Sequence, residues 1–394
     1  MPLTVRPLTD EDLPAAWQLG RLAFGGAAEQ PASASRTPAG MVRWGAFDAS
    51  GQLVGKATDV GHEQWWGGRV LATADVSGVA VRPETRGGGV ARALLTELLA
   101  AGRDRGAAVS ALYPTVTGLY RSLGWEVVGV LGAADLDTAS LPRSAGDTGV
   151  VLRPGGPADL PAVTDLYERV ARTRNGMLTR RGGVFDEPSE TPLPDGVDAL
   201  SLAELDGDLV GAVVFGRGRG YGTEGRLTVH DLLASNPEAA RALVGVLGGW
   251  STVTRSVRVP LLPGDALSAV LPLERAEASS GTPWMHRPVD VVRAVGDRGW
   301  PAHVRGRVTF DLLDEVAPWN AGTWTLTIED GAGSLVRAGA DADLWLHVRG
   351  FAALACSATT GAAAVQAGLA GGAGDPAALD LLASGPPAQL LDYF

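Results

Sequence analysis

The chain has 394 residues, of which 45% are hydrophobic and 20% charged, with a formal net charge of −11. This is an ordinary globular composition, long enough for two or three domains at roughly 150 residues each. The acidic balance argues against nucleic acid as a partner, which needs a basic face, and no run of about 18 uncharged apolar residues offers a transmembrane helix.

The opening MPLTVRPLTDED has no apolar signal region and reads as mature protein, so a cytoplasmic compartment without a membrane partner is expected. Residues 6–15, RPLTDEDLPA, return as RPGGPADLPA at 153–162, an ungapped offset of 147 residues. Each copy leads into a helical pattern, through Trp17, Leu22 and Phe24 in the first and Val163, Leu166 and Val170 in the second. GQLVG at 51–55 and GDLVG at 207–211 echo each other as hairpin turns entering strands. Two similar α/β domains in tandem are expected, over 1–150 and 151–285.

In the first copy KATDV and RVLATADV flank a Gly67–Gly68 turn, and VSGVAV (76–81) is a strand closed by Pro83. A helix follows, with Val90, Leu94, Leu98 and Ala101 on one face and Gly102 as its stop. AAVSALY (107–113) reads as a strand, TGLYRSLG (117–124) as a short helix capped by Gly124, and WEVVGVL (125–131) as a further strand.

Between strand and helix lies RPETRGGGVA. Free N–H groups at a helix start, glycines that let backbone approach a ligand, and a cation at Arg86 suit an anion such as pyrophosphate. The Walker loop is absent for want of Gly-Lys-Ser/Thr. The dinucleotide fingerprint fails because Gly87-x-Gly89-x-x leads to Arg92. Arg86-Gly87-Gly88-Gly89-Val90-Ala91 fits a third pattern, Arg/Gln-x-x-Gly-x-Gly/Ala, with Val79-Ala80-Val81-Arg82-Pro83 before it and GLYRSLGW after it. With these residues the sequence resembles the GNAT acyltransferases. The resemblance implies acetyl-CoA as co-substrate, its pantetheine arm along Val79, Ala80 and Val81 and its pyrophosphate on residues 86–92, Arg92 included. The second copy has the strand and the helix, RLTVHDLLASNPEAARALVGVL, with Asn236-Pro237-Glu238 as a capped start. It has no such loop, so it is expected to keep the fold without the cofactor.

After about residue 285 the pattern alternates. Val304, Val308 and Phe310, then Trp324, Leu326 and Ile328, then Leu344, Leu346 and Val348 each share one face of a strand. Helical stretches are expected around 350–369 and 376–391, the latter docked by Leu390, Leu391 and Phe394. Cys356, the single cysteine, lies in the apolar FAALACSA and is expected as a buried thiol, not a disulfide or a metal ligand. Residues 286–394 look like a sterol-carrier-protein-like α+β domain. Two tandem GNAT-fold α/β domains followed by such a domain resemble the enhanced intracellular survival (Eis) family of N-acetyltransferases over the whole chain.

Acetyl transfer to an amine needs a neutral nucleophile, donors for the oxyanion and a proton for the thiolate. A phenol such as Tyr120 can give that proton, and the matching tyrosine in the family is its general acid. Tyr113, on the strand, reads as a core residue, and His62-Glu63 as a solvated loop pair. Of the first copy's candidates for the base, Asp75, Glu63, Glu84 and Glu97, the last two are not well placed, and His62-Glu63 could act but reads first as a solvated loop pair. The Eis resemblance offers instead the α-carboxylate of the last residue, Phe394, ionised at neutral pH. Thr115 and Val116 match positions near the cofactor, and Phe24, Trp65 and Trp66 are candidates to wall an amine pocket. The family's aminoglycoside acetylators carry acids where this sequence has Gly26 and Tyr393. The acceptor expected is a small cationic amine or a lysine side chain, with no metal, in a homo-oligomer that the resemblance makes a hexamer. A non-catalytic CoA-binding regulator and a lipid carrier stay open as alternatives.

Overall fold

The computed structural model describes residues 2–27, 29–143, 149–186 and 192–394. The first copy of the repeat opens with β1 (Thr4–Pro7) and α1 (Leu13–Phe24), then β2 (Met41–Phe47) and β3 (Leu53–Val60). The hairpin β4 (Glu63–Trp66) and β5 (Arg69–Ala72) precedes β6 (Asp75–Val81), α2 (Val90–Asp104), β7 (Val109–Leu112), α3 (Thr117–Arg121) and β8 (Glu126–Asp137). The second copy runs through β9 (Val151–Gly155), α4 (Leu160–Ala171), β10 (Ala199–Leu205), β11 (Asp208–Arg217), β12 (Gly222–Ala234), α5 (Pro237–Gly248), β13 (Thr254–Leu261) and β14 (Ala276–Pro288).

The repeat has a physical cause. Arg6 pairs with Asp12 at 2.6 Å, and Asp12 accepts the Thr9 N–H at 2.8 Å. Arg153 pairs with Asp159 at 2.8 Å, and Asp159 accepts the Gly156 N–H at 2.9 Å. In both copies one acid satisfies a donor at the helix start and ties it to the first strand.

Helix α2 buries Val90, Leu94 and Leu98, as their spacing requires. It runs through Gly102 to Asp104. Gly102 is there for close packing, since a side chain would meet the Ala74 Cβ at 2.7 Å, and left-handed Gly106 (φ 94°) follows the helix instead. The Gly67–Gly68 turn joins β4 to β5, so KATDV belongs to β3 and is not an arm of that hairpin.

Twelve strands form one sheet in the order β1-β2-β3-β6-β7-β14-β8-β13-β12-β11-β10-β9. The last strands of the two copies have changed places. β14 pairs with β7 from Met285–Leu112 to Pro288–Val109, and β8 pairs with β13 from Ser256–Asp137 to Leu261–Gly132. The two exchanged strands also pair with each other. The sheet therefore runs unbroken across residue 150, and a strand from the second copy lies inside the first.

The third part comprises α6 (Val291–Gly296), β15 (Gly306–Leu313), β16 (Gly322–Glu329), β17 (Ala332–Arg337), β18 (Leu344–His347), α7 (Val348–Ala355), α8 (Gly361–Gln366) and β19 (Ala370–Gly372). Its sheet, β17-β16-β15-β18-β19, buries Val308, Phe310, Trp324, Leu326, Ile328, Leu344 and Leu346. Val304 precedes β15, and Val348 opens α7. The helix expected over 376–391 is a single 3-10 stretch, Pro376–Leu381, and 382–394 has no regular structure apart from a bridge at Ala388. Gly385, Pro386 and Pro387 break it, a signal present in the sequence. The Cys356 thiol is buried, and burial raises its pKa.

A fully buried ion pair fastens the third part to the sheet. Arg287 on β14 donates to both oxygens of Asp314, at 2.8 and 2.7 Å, and to the Leu123 carbonyl. Asp314 also accepts from the Ala317 N–H and the Asn320 amide. Asp314→Ala should destabilise the protein by about 3–5 kcal/mol, because it strands a buried guanidinium. Urea unfolding checks this, and a loss below about 1 kcal/mol would show that the site lets water in to solvate Arg287.

Candidate functional site

β3 covers one edge of β6. On the other edge β6 meets β7 at one point, Val76–Leu112. Register with β3 passes from Thr58–Ser77 to Lys56–Ala80, so Gly78 and Val79 together oppose Ala57. This bulge, with Gly78 at φ 58°, bends β6 away from β7. The parted strands expose the backbone of 79–81 to a cleft of about 730 Å³. Open N–H and C=O groups of this kind suit an amide-bearing chain.

The cleft gathers Val79, Ala80, Val81, Arg86, Gly87, Gly89, Val90, Ala91, Arg92, Thr115, Val116, Tyr120 and Phe24. Gly88 lies between two of its lining residues. Gly87 (φ 78°) and Gly89 (φ 80°) are left-handed, and a Cβ on either would meet nothing, so the space above the loop is open. α2 has no side-chain cap, which leaves its first N–H groups free for an anion. Arg86 and Arg92 touch the carbonyls of Val81 and Ser122 and form no ion pair among the described residues. An acetyl-CoA molecule fits this arrangement. The pantetheine arm would lie along Val79–Val81 and the phosphates on Gly87–Gly89, Arg86 and Arg92. In the second copy the Asn236 side chain accepts the Ala239 N–H at 2.8 Å, so α5 caps itself where α2 stays open.

Tyr120 is buried in the wall of the cleft, edge-on to Trp125 at 6.3 Å. Burial pushes its phenol up to about 12, so it keeps its proton at neutral pH and well above. Phe24, 57% exposed, reaches the cleft from the end of α1. Trp65 and Trp66 do not join it. Trp65 packs with Leu166 and Tyr167 of the second copy, and Trp66 packs against Leu71, Trp284 and His286. Alternation along β4 sends them to two different cores, and neither walls the cleft.

His62 is not a solvated loop residue. It is buried, its Nδ1 is 3.0 Å from Asp75 Oδ2, and Asp75 also accepts the Ala111 N–H at 2.7 Å. Nearby Asp59, paired with Arg105 at 2.6 Å, is pushed up to about 6, mainly by burial. The Phe394 ring stands 4.9 Å from the His62 ring and 5.4 Å from that of Tyr113. Tyr113, read as a core residue, donates to the Asp392 carbonyl at 2.6 Å and stacks on Tyr393 at 4.5 Å. Asp392 in turn accepts from Arg180 at 2.8 Å and lies 3.0 Å from the Tyr167 hydroxyl, while Arg180 grips Asp231 with both Nη atoms at 2.7 and 2.9 Å. The contacts of Asp392 with Tyr113, Tyr167 and Arg180 span more than 200 residues and carry no local sequence signal, so nothing in the sequence singles out Tyr167, Arg180 or Asp392. Among the described residues no group of three or more His, Cys, Asp or Glu is placed to hold a metal, and no helix is long and apolar enough to cross a membrane.

Residues 4–128 match an acetyltransferase (GNAT) domain family, residues 176–293 a second acetyltransferase (GNAT) domain family, and residues 291–390 a sterol carrier protein domain family. An N-acetyltransferase of Streptomyces coelicolor is 30% identical over 297 residues, which cover 72% of this chain and 71% of that relative. A GCN5-related N-acetyltransferase from Kribbella flavida superposes with a TM-score of 0.84 at 29% identity, over 100% of this chain and 98% of that one. Eis1 from Mycobacterium abscessus shares the fold, with a TM-score of 0.75 at 21% identity over 99% of this chain and 100% of that one.

Arg86→Ala and Arg92→Ala should each weaken acetyl-CoA binding about tenfold, the ~1.5 kcal/mol of one charge-assisted hydrogen bond. Titration calorimetry at two salt concentrations reads this, and affinities indifferent to both salt and substitution would remove the phosphate assignment.

Proposed function

Because the chain belongs to the GNAT N-acetyltransferases, in the form with two GNAT domains and a C-terminal sterol carrier protein domain, we propose that it moves the acetyl group of acetyl-CoA to a primary amine in the cleft beside β6. In this reading residues 1–150 bind acetyl-CoA, 151–285 are a degenerate copy, and 286–394 are a sterol-carrier-like domain whose last residues complete the site. The observation that carries it is the opened edge of β6 running into an uncapped, glycine-lined helix start, with a buried phenol in the same wall.

Acetyl-CoA supplies an acyl carbon activated by sulfur, and the chain's own part is to position the partners and handle two protons. The acceptor arrives as an ammonium ion and must lose one proton before its nitrogen can attack. The α-carboxylate of Phe394 takes it. The neighbouring rings of His62 and Tyr113 and the Arg180–Asp392 pair support this role by fixing where residues 392–394 lie. Once the C–N bond has formed and the C–S bond breaks, Tyr120 gives its proton to sulfur, and the second proton leaving nitrogen restores the phenol, so two protons leave nitrogen, one to the Phe394 carboxylate and one by way of Tyr120 to the thiolate. Aminoglycosides, polyamines and lysine side chains are the acceptors that the Eis resemblance suggests, and a protein of net charge −11 attracts such cations at long range. A hexameric assembly belongs to the same reading.

Acetyl-CoA consumption across a panel of amines tests the proposal. Tyr120→Phe should lower kcat roughly 100-fold or more while the affinity for acetyl-CoA holds, and one residue appended after Phe394 should act in the same direction. Full turnover in both variants would overturn the acid–base assignment, and binding without any consumption would favour the regulator reading. With Tyr120 at about 12, the wild-type rate should not decline between pH 8 and 10 through loss of the acid. A decline centred near 10, the ordinary phenol value, would show that Tyr120 is unshifted or uninvolved.

A further inference from the structure

A second cavity, of about 280 Å³, lies on the other side of the β6 bulge, between α1 and strands β2, β3 and β6. Gly78 lines this cavity and Val79 lines the cofactor cleft, so the two spaces share the bulge where the strands part. Its polar character is one-sided. Lys56 and Arg43 both line it, and among the described residues neither pairs with a carboxylate. Among the described residues the Arg43 guanidinium makes one hydrogen bond, to the Ala34 carbonyl at 3.2 Å. The indole N–H of Trp17, in the same lining, is buried without a partner. Two glycines clear room for the Lys56 ammonium. A side chain at Gly20 would meet its Nζ at 3.0 Å, and one at Gly78 would meet it at 3.7 Å.

The neighbouring acids are committed elsewhere, Asp59 to Arg105 and Asp75 to His62 and the Ala111 N–H. The pKa values of Lys56 and Arg43 are lowered by burial, that of Lys56 also by the charge of Arg43, as for cations that face each other with no anion between them. An orphaned buried donor such as the Trp17 indole N–H is costly unless a ligand satisfies it.

We propose that this cavity receives the acceptor and that Lys56, Arg43 and Trp17 bind an anionic group on it, so that the substrate is a small zwitterion, with a primary amine and a carboxylate or phosphate in one molecule. The proposal rests on the acetyl-transfer reading above and narrows its acceptor. The anion seats against Lys56 and Arg43, and the amine end turns along the bulge towards the cleft. The same two cations repel a second ammonium group, which disfavours polyamines and aminoglycosides.

The test uses the full chain with acetyl-CoA and matched acceptors: β-alanine against β-alaninamide, and phosphoethanolamine against ethanolamine, with spermidine and an aminoglycoside as polycations. The two pairs separate carboxylate from phosphate. At least one member carrying the anionic group should exceed its partner without it about tenfold in kcat/KM, and both polycations should fall below it. Lys56→Met should erase that preference by raising KM with kcat nearly unchanged, and Arg43→Gln should reduce it. Preference for polycations, or a preference that survives both substitutions, overturns the proposal, as does a Lys56→Met effect confined to kcat. Titration of the anionic amines into CoA-saturated protein reads recognition without chemistry. Binding that Lys56→Met abolishes, in a protein that turns nothing over, would keep the anion site and reject the acetyl-transfer reading. No binding by the wild type would reject the anion site whatever the turnover.

Discussion

Arg180 is the point on which three parts of this molecule converge. Its guanidinium grips Asp231 on β12 and Asp392 in the last segment, and stacks over the Tyr167 ring at 3.8 Å. Burial alone would lower its pKa, but the two carboxylates raise it well above the ordinary value and hold it charged. Half-buried charge is tolerable when every member is paired, and here both acids share the one cation. The segment it holds has no helix or sheet to lean on. It satisfies its backbone by borrowing, with Ala388 N–H on the Cys356 carbonyl and Gln389 N–H on the Asn175 carbonyl. Side chains of the second copy thus fix the course of a segment from the third part, and its final rings rest on the first.

The other governing feature is the bulge in β6. A two-against-one mismatch opposite Ala57 turns the strand away from β7, and the opening creates two differently furnished spaces. On one side are glycine-lined backbone donors with Arg86 and Arg92, and on the other Lys56, Arg43 and Trp17. The chain as a whole is strongly acidic, so a net charge of −11 says little about either. Four cations, Arg86 and Arg92 on one side and Lys56 and Arg43 on the other, line these two spaces without an ion pair among the described residues.

What the sequence disclosed, it disclosed through local chemistry. The Arg-Pro to Asp-Leu-Pro-Ala repeat is legible because its arginine and aspartate meet within seven residues, in the same way in both copies. The glycine loop, the Asn236 cap and the alternating strands of the third part are legible for the same reason. What stayed hidden depends on long-range partners. His62 looks like a loop residue until Asp75 and the Phe394 ring close over it. Trp65 and Trp66 look like pocket walls until β4 alternation sends them into separate cores. Lys56 and Arg43 occupy strand positions where a charge ordinarily marks the solvent face, and only the packing of α1 over them turns that face inward. The expected terminal helix stops at Leu381, because Gly385, Pro386 and Pro387 cannot continue it.

The exchange of β8 and β14 has a consequence in time. β7 has β6 along only one residue of its length, and its other neighbour is β14, which is not translated until residues 276–288. A nascent chain that has emerged through residue 150 carries the glycine loop and Tyr120 but lacks the strand that completes the sheet beneath them. Pairings this distant form late, after much of the polymer has been synthesised. The half that carries the glycine loop and Tyr120 leaves the ribosome first, and its sheet is complete only after its duplicate has arrived to hand over a strand.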